Sequence, residues 1–363
     1  MPPPTAAPIG VFSRATDTLY VYGGMCLADQ LGYWTVATSS NLYSLDVHRR
    51  EWRLLSPGGE CPPPSEKGAG WEYEGDIWIF GGYSQSMVSS RGSEASYEIA
   101  QDHQSGGGWT DSLVYYSPRE NRYHRPVTRG RPPCPRAGST SCVRGHKVFV
   151  FGGRCRQRRL NDLHCLDLES LTWSLLEAGT QPDPWAPASS LCPAPRSLHT
   201  MVTAAQRLIV YGGLGQLSAP LNDCWVLEVS DDGISPDHAW RELELDYDHG
   251  EVRCWHTASV TRDQEMVIMS GLTQEYYLTR MDLDDHPEDV LHINFGPQSL
   301  LRLTLEAVAG KLEMSEQFHD LDCLPRQLLE AVLSRIRDIE VMATPKYPSE
   351  DTQYARSRLH AGL

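Results

Sequence analysis

The sequence lacks the features that mark membrane-spanning, secreted and nucleic-acid-binding proteins. No apolar run approaches the roughly 18 residues that a membrane-spanning helix needs, and residues 1–8 show no charged-then-apolar signal pattern. The ten cysteines never occur with CxxC spacing, so we predict no metal site, no disulfides and a reducing compartment, cytoplasmic or nuclear. The formal net charge of -15 argues against nucleic acid as a partner.

What the sequence does contain is a short apolar strand that ends in a glycine pair, or in its near-equivalent, and occurs five times. The copies recur every 58 to 71 residues. They are Leu19–Gly24, Ile77–Gly82, Val148–Gly153, Leu208–Gly213 and Met266–Gly271. Downstream of the first four copies an aromatic residue opens a further short strand: Trp52, Tyr123, Trp173 and Trp240. This pattern is typical of kelch-type blades, so we predict an all-β kelch-type β-propeller over residues 1–296, with five readable blades.

The repeat pattern stops near residue 296, and the apolar period then changes from 2 to about 3.6. We predict a short helical segment over residues 297–340, with a second helix that begins at Leu324-Pro325, and a disordered tail over residues 341–363. Two interpretations of the helices stay open. They either cap the propeller or offer a docking surface for a partner.

Basic residues are concentrated in one part of this acidic chain. From Arg122 to Arg159 there are ten arginines, one lysine and no acidic residue. One interpretation is that most of these arginines lie on solvated loops. The other is a local anion site, favoured by the run Arg154–Arg159, which directly follows a glycine pair and therefore lies on a loop at one face of the disc.

Several stretches resemble the family of kelch domain-containing proteins 1 and 2, and the likeness runs over residues 2–337. Its most specific parts are Phe149–His164, Trp255–Thr257, Ser299–Val308 and Cys323–Leu328. The resemblance implies a substrate receptor of a cullin-RING ubiquitin ligase that recognises the extreme C-terminus of proteins ending in glycine. It also implies elongin B–elongin C and a cullin 2-type scaffold as partners, and no cofactor.

The resemblance also implies roles for particular residues. The clamp for the terminal carboxylate would consist of Arg154, Arg159 and Ser197, since guanidinium groups bind a carboxylate bidentately. The pocket wall would consist of Lys67, Tyr83, Trp109, Trp255 and Leu198. The elongin-binding residues would be Ser299, Leu300, Thr304 and Val308, and the cullin-binding residues Leu324, Pro325 and Leu328.

The chain departs from the family pattern at three places. It begins where the family's second blade begins, so a first blade appears absent, which fits either a five-bladed ring or a truncated chain. Leu198 stands where the family has tryptophan, and Gly107 stands where it has arginine. We therefore expect carboxylate capture to survive, with a pocket wall that differs from the family's.

Two other functions compete with a degron receptor. Kelch propellers also occur in copper oxidases, whose metal needs histidines and a tyrosine to converge. Here His164, His199 and His256 fall within blade strands, where we expect structural roles, so we predict that the chain is not an enzyme. The other alternative is a generic kelch scaffold that binds an internal loop of a partner. Neither alternative explains Ser299-Leu300 and Leu324-Pro325.

Overall fold

The computed structural model describes residues 2–3, 5–30, 33–85, 97–99, 107–179, 192–204, 206–229, 239–243, 245, 252–261, 264–273 and 290–294. Within these residues the chain is all-β, and its one helical element is a 3-10 turn at Gln216–Ser218. The predicted segments 297–340 and 341–363, and with them all the predicted elongin- and cullin-binding residues, lie outside the described residues. No helix in the described part is long and apolar enough to cross a bilayer.

The first blade is a four-stranded antiparallel sheet with a hairpin inserted between its second and third strands. The sheet has the order β1-β2-β5-β6, and β3 pairs with β4 in the hairpin. The bounds are β1 (Ile9–Ser13), β2 (Thr18–Tyr22), β3 (Met25–Gln30), β4 (Tyr33–Thr38), β5 (Leu42–Asp46) and β6 (Glu51–Leu55).

The second and third blades each carry a fifth, parallel strand at the outer edge, contributed by the segment that precedes the blade. The second blade has the order β7-β14-β13-β9-β8, with a small sheet β10-β12-β11 inserted, and the third has the order β15-β19-β18-β17-β16. The bounds in the second blade are β7 (Gly58–Gly59), β8 (Ala69–Tyr73), β9 (Asp76–Phe80), β10 (Tyr83–Ser84), β11 (Tyr97–Ile99), β12 (Gly108–Thr110), β13 (Leu113–Ser117) and β14 (Arg122–His124). Those in the third are β15 (Arg129–Gly130), β16 (Thr140–Arg144), β17 (Lys147–Cys155), β18 (Arg158–Asp167) and β19 (Thr172–Glu177).

The fourth blade again has four strands, and three strands of the fifth are described. The bounds are β20 (Thr200–Ala204), β21 (Arg207–Leu214), β22 (Pro220–Glu228), β23 (Arg241–Leu243), β24 (Thr257–Val260), β25 (Glu265–Met269) and β26 (Val290–Asn294). Apart from the added edge strands β7 and β15, the strands of each blade sheet are ordered as along the chain. The chain divides into two compact units: β1–β23 belong to the first, together with Gly271, and the sheet β24–β26 belongs to the second. The fold is therefore the predicted kelch-type β-propeller of five blades.

In the second, third and fourth blades the apolar strand before the glycine pair is buried along its whole length, as in sheets that are covered on both faces. Phe149 and Phe151 of β17 face the fourth blade and pack with residues such as Met201 and Leu208. Val148 and Val150 of the same strand face the second blade, in a cluster with Phe80. This two-sided burial explains why these strands are apolar without alternation.

The glycine pairs are required by close approach between blades. Gly152 has a φ of +61°, and a Cβ there would lie 2.9 Å from the carbonyl oxygen of Arg196 in the next blade. Gly153 donates its N–H to that same carbonyl at 2.8 Å. A side chain at position 152 would push the fourth blade away from the third, and one at position 153 would meet Ser139 and Ala137 of its own blade. These contacts are why the repeat retains glycine.

In the third and fourth blades a buried arginine binds the end of the apolar strand to its blade. Arg136 is fully buried, and its guanidinium donates to both carboxylate oxygens of Asp162 at 2.7 and 2.8 Å and to the carbonyl of Gly152 at 2.9 Å. Arg196 repeats this arrangement with Asp223 in the fourth blade. Arg136 is therefore not one of the solvated loop residues of the basic stretch, since its charge is neutralised inside the blade.

Two of the histidines join neighbouring blades, as expected for structural residues. The Nε2 atom of His199 lies 3.0 Å from Thr140 Oγ1 of the third blade, and that of His256 lies 2.9 Å from Thr200 Oγ1 of the fourth. Burial, aided by Arg253, lowers the pKa of His256 to about 3, and burial beside Arg196 lowers the pKa of His199 well below its usual range. Both rings are therefore neutral at physiological pH.

Candidate functional site

A chain of backbone hydrogen bonds links the entrances of the blades. At each entrance one residue has left-handed backbone conformation, and its N–H donates to the carbonyl of the equivalent residue one blade earlier. The N–H groups of Lys67, Gly138, Leu198 and Trp255 donate in this way at 2.6 to 2.9 Å, the first of them to Ala7. Such a φ is uncommon for residues other than glycine. Three predicted wall residues, Lys67, Leu198 and Trp255, thus occupy equivalent positions in one series.

A second set of equivalent positions lies beside the first. The residue just before each member of this hydrogen-bonded series forms an antiparallel bridge. Its partner is the residue that follows the glycine pair, or its near-equivalent, in the same blade. The bridges are Ala6–Met25, Glu66–Tyr83, Ala137–Arg154, Ser197–Leu214 and Cys254–Leu272. Tyr83, Arg154 and Ser197 therefore lie at one end of the blades, next to the wall residues.

Two of the predicted clamp residues, Arg154 and Arg159, lie on the hairpin between β17 and β18, and Ser197 contacts this hairpin from the entrance of the fourth blade. Arg154 and Arg159 are directly opposite each other across the hairpin. Arg159 is only 7% exposed, and it donates from Nε to Ser197 Oγ at 3.2 Å and from an Nη atom to Ser218 Oγ at 3.0 Å. Arg154 is exposed, and its Nε donates to the carbonyl of Arg156 at 2.8 Å. The predicted clamp residues thus include one buried guanidinium, held by two serines, and one exposed guanidinium.

Two side-chain contacts involve the predicted wall residues. The Nζ atom of Lys67 lies 5.2 Å from the centroid of the Trp255 ring, a cation–π contact that joins the second blade to the strand entrance of the fifth. Tyr83 and Trp109 are cross-strand neighbours in the inserted sheet of the second blade, with ring centroids 5.1 Å apart. Leu198 and Trp255 both pack against a buried apolar cluster that consists of Leu214, Cys254 and Leu272. The structure therefore gives every predicted clamp and wall residue a place on this set of loops and blade entrances.

The sequence reasoning missed two residues that contact the site. Glu66 is 2% exposed, holds Lys67 Nζ at 3.1 Å through Oε1, and occupies the position equivalent to Ser197. Its Oε2 atom makes no hydrogen bond within the described residues. Ser218, in the 3-10 turn, accepts the bond from Arg159. Alignment of the five repeats could have identified Glu66, but no local pattern indicates Ser218.

Gly107, one of the departures from the family pattern, lies against the ring of Tyr83. A Cβ there would be 2.3 Å from the Tyr83 hydroxyl oxygen and 2.7 Å from the carbonyl oxygen of Ser84. The tyrosine hydroxyl thus fills the space that a side chain at position 107 would need. An arginine here would require the Tyr83 ring to move.

The third histidine of the blade strands, His164, contacts a carboxylate that is already paired with a buried arginine. His164 Nε2 lies 3.0 Å from Asp162, whose carboxylate also binds Arg136. Among the described residues no three His, Cys, Asp or Glu side chains are grouped as metal ligands. The nine cysteines that are described are free thiols.

Comparison with known proteins identifies the family. The KLHDC2/KLHL20/DRC7 Kelch-repeats domain matches residues 1–186 and 97–290. Kelch domain-containing protein 1 of Homo sapiens is 30% identical over 330 residues, which are 88% of this chain and 73% of that protein. Kelch domain-containing protein 2 of Bos taurus is 28% identical over 329 residues, 87% of this chain and 73% of that protein. Host cell factor 2 of Homo sapiens is 30% identical over 230 residues, 58% of this chain and 24% of that protein. The chain therefore belongs to the KLHDC2/KLHL20/DRC7 kelch-repeat family, as a homologue of kelch domain-containing proteins 1 and 2.

Proposed function

We propose that this protein is the substrate-recognition subunit of a cullin-RING ubiquitin ligase, cytoplasmic or nuclear, and that it binds proteins through a C-terminal glycine. It performs no chemistry itself. The observation that carries the proposal is the pairing of a buried arginine, Arg159, with Ser197 and with the exposed Arg154 across one hairpin. A buried guanidinium at the end of the blades favours a negatively charged, planar group, which a terminal α-carboxylate provides.

The hydrogen-bond directions suit a carboxylate. Ser197 Oγ accepts from Arg159 Nε, so the serine proton can be donated to a carboxylate oxygen of the ligand. Arg159 supplies a charge that is already desolvated and held in place by two serines, so little side-chain entropy is lost on binding. Arg154 contributes a more exposed charge that closes over the ligand from the other strand of the hairpin.

The wall supports selection of a small terminal residue. Tyr83, Trp109 and Trp255 are rigid aromatic side chains, and Lys67 is fixed by Glu66 and Trp255. A side chain on the terminal residue of the ligand would meet these groups, whereas glycine leaves only backbone. Leu198 makes this wall less bulky than a tryptophan would, so a terminal alanine or serine should be tolerated better than in the relatives with tryptophan.

The partners follow from the C-terminal part of the sequence. We propose that residues 299–336 bind elongin B–elongin C and that Leu324, Pro325 and Leu328 contact a cullin 2-type scaffold. The support is the resemblance of Ser299–Val308 and Cys323–Leu328 to the family, together with the apolar face that Leu301, Leu305 and Val308 would form on a helix. Leu300 is the proposed anchor.

The test of carboxylate recognition is a comparison of matched peptides by fluorescence polarisation. A peptide ending in Gly-Gly should bind, and its C-terminal amide, which lacks the negative charge, should bind about 10- to 100-fold more weakly, because charge-assisted bonds are worth roughly 1.5–3 kcal/mol each. Arg159→Ala should weaken binding of the free-acid peptide, and Arg158→Ala is its matched control. Arg158 is exposed, lies in the same hairpin and is opposite Cys155 rather than a clamp residue. Equal affinity for acid and amide would reject the clamp and leave a generic kelch scaffold.

A further inference from the structure

Two cysteines lie side by side next to the hairpin that carries Arg154 and Arg159. Cys134 is in the segment that enters the third blade, and Cys155 ends strand β17. The bridge between Ala137 and Arg154, with N–O distances of 3.0 and 2.7 Å, aligns these two segments in antiparallel fashion. The two side chains are close enough for the Cys155 thiol to lower the pKa of Cys134.

The surroundings of Cys134 favour the thiolate. The residue is exposed, and its Sγ lies 3.4 Å from an Nη atom of the buried Arg136, whose Nε donates to the Cys134 carbonyl at 3.1 Å. The Cys155 thiol, followed by the charge of Arg136, lowers the pKa of Cys134 to about 6, although the surrounding protein partly desolvates the sulfur and opposes this shift. In contrast, burial raises the pKa of Cys142 and Cys224 to about 12. A low thiol pKa with solvent access is the condition for reactivity.

The architecture of the blade does not need these thiols. In the fourth blade Arg196 occupies the place of Arg136, its Nε donates to the Ala194 carbonyl at 3.0 Å, and Leu214 bridges to Ser197 as Arg154 bridges to Ala137. The positions equivalent to Cys134 and Cys155 are therefore Ala194 and Gly215. Since the same geometry forms with alanine and glycine, the thiol pair is an addition to the third blade, beside the clamp.

We propose that Cys134 and Cys155 are a redox pair that hydroperoxides oxidise to a disulfide. The Cys134 thiolate attacks the terminal oxygen of the hydroperoxide, the O–O bond breaks, and the alkoxide that leaves takes a proton from solvent. The resulting sulfenic acid is attacked by the Cys155 sulfur, so that an S–S bond forms, the S–O bond breaks, and water leaves with the thiol proton. The disulfide ties the arginine hairpin to the segment before the third blade, and its formation does not depend on the proposed ligand.

The test is residue-by-residue labelling and peptide mapping of the full chain. The rate of iodoacetamide labelling of Cys134 should reach half its maximum near pH 6. At pH 7 it should exceed that of Cys61, the other thiol that is exposed among the described cysteines, about tenfold. After treatment with hydrogen peroxide, a non-reduced digest should contain the linked Cys134–Cys155 peptides. Reduction should separate them.

Two variants make the proposal falsifiable. Cys134→Ala, which copies the fourth blade, should melt at the same temperature as the parent and form no link. Cys155→Ser should stop the reaction at the sulfenic acid of Cys134, which a dimedone-type probe labels. Labelling of Cys134 with a midpoint above pH 8, or the absence of both the linked peptide and the dimedone adduct, would overturn the proposal.

Discussion

The proposed carboxylate clamp makes a prediction about coupling between one arginine and one charge on the ligand. If Arg159 binds the terminal carboxylate, replacing it by alanine should weaken binding of the free-acid peptide about 10- to 100-fold, because a buried charge-assisted bond of roughly 1.5–3 kcal/mol is lost. The amide peptide has no carboxylate to lose, so Arg159→Ala should weaken its binding much less. The penalty for amidation should therefore shrink about tenfold in the variant, a coupling of about 1.4 kcal/mol.

The structure distinguishes Arg159 from Arg154 in this respect. Arg159 is 7% exposed, whereas Arg154 is exposed, so the contribution of Arg154 is screened by salt. We expect the loss of affinity caused by Arg154→Ala to become smaller as the ionic strength is raised. The loss caused by Arg159→Ala should be the same at low and high ionic strength. Arg159→Ala also leaves the Ser197 and Ser218 hydroxyls without this donor, so its melting temperature must be measured alongside. A coupling of zero in a folded variant, or equal coupling for Arg158→Ala, would refute the assignment of Arg159 to the carboxylate.

Three further predictions concern stability and assembly. His199 and His256 bind fewer protons in the folded state than in the unfolded state, because folding lowers their pKa values. The free energy of unfolding should therefore be highest above about pH 6.5 and fall by about 1.4 kcal/mol per pH unit per histidine below it. Urea titrations at pH 7 and pH 5 that coincide would contradict this. Gly152→Ala should cost about 1–3 kcal/mol more than Gly145→Ala, because both glycines have a φ near +60° but only the Cβ at position 152 meets backbone of the next blade, and matched denaturant titrations measure the difference. Leu300→Ser should abolish co-purification with elongin B–elongin C while Arg302→Ser retains it, since a buried anchor commonly contributes over about 2 kcal/mol; retention by both variants would mean that the segment is only a structural cap.

Local sequence pattern was sufficient for the blades. An apolar run such as Val148–Phe151 followed by Gly152-Gly153 predicts its own structure, because two-sided burial and the approach of the next blade demand these residue types. The opposition of Arg154 and Arg159 is local as well, since a short turn between the two strands places residues five apart across from each other. These features can therefore be predicted from the sequence of a single repeat.

The relation between blades could be decided only by the tertiary structure. Ser197 reaches Arg159 because the fourth blade enters beside the third, and Lys67 reaches Trp255 because backbone hydrogen bonds align the blade entrances. The burial of Arg136, which the sequence reasoning missed, has the same origin. A run of arginines looks uniformly solvated until packing assigns one of them to Asp162 and leaves another, Arg154, at the surface. Sequence period specifies each sheet, whereas the contacts that make the site depend on side chains from different sheets, which no local period encodes.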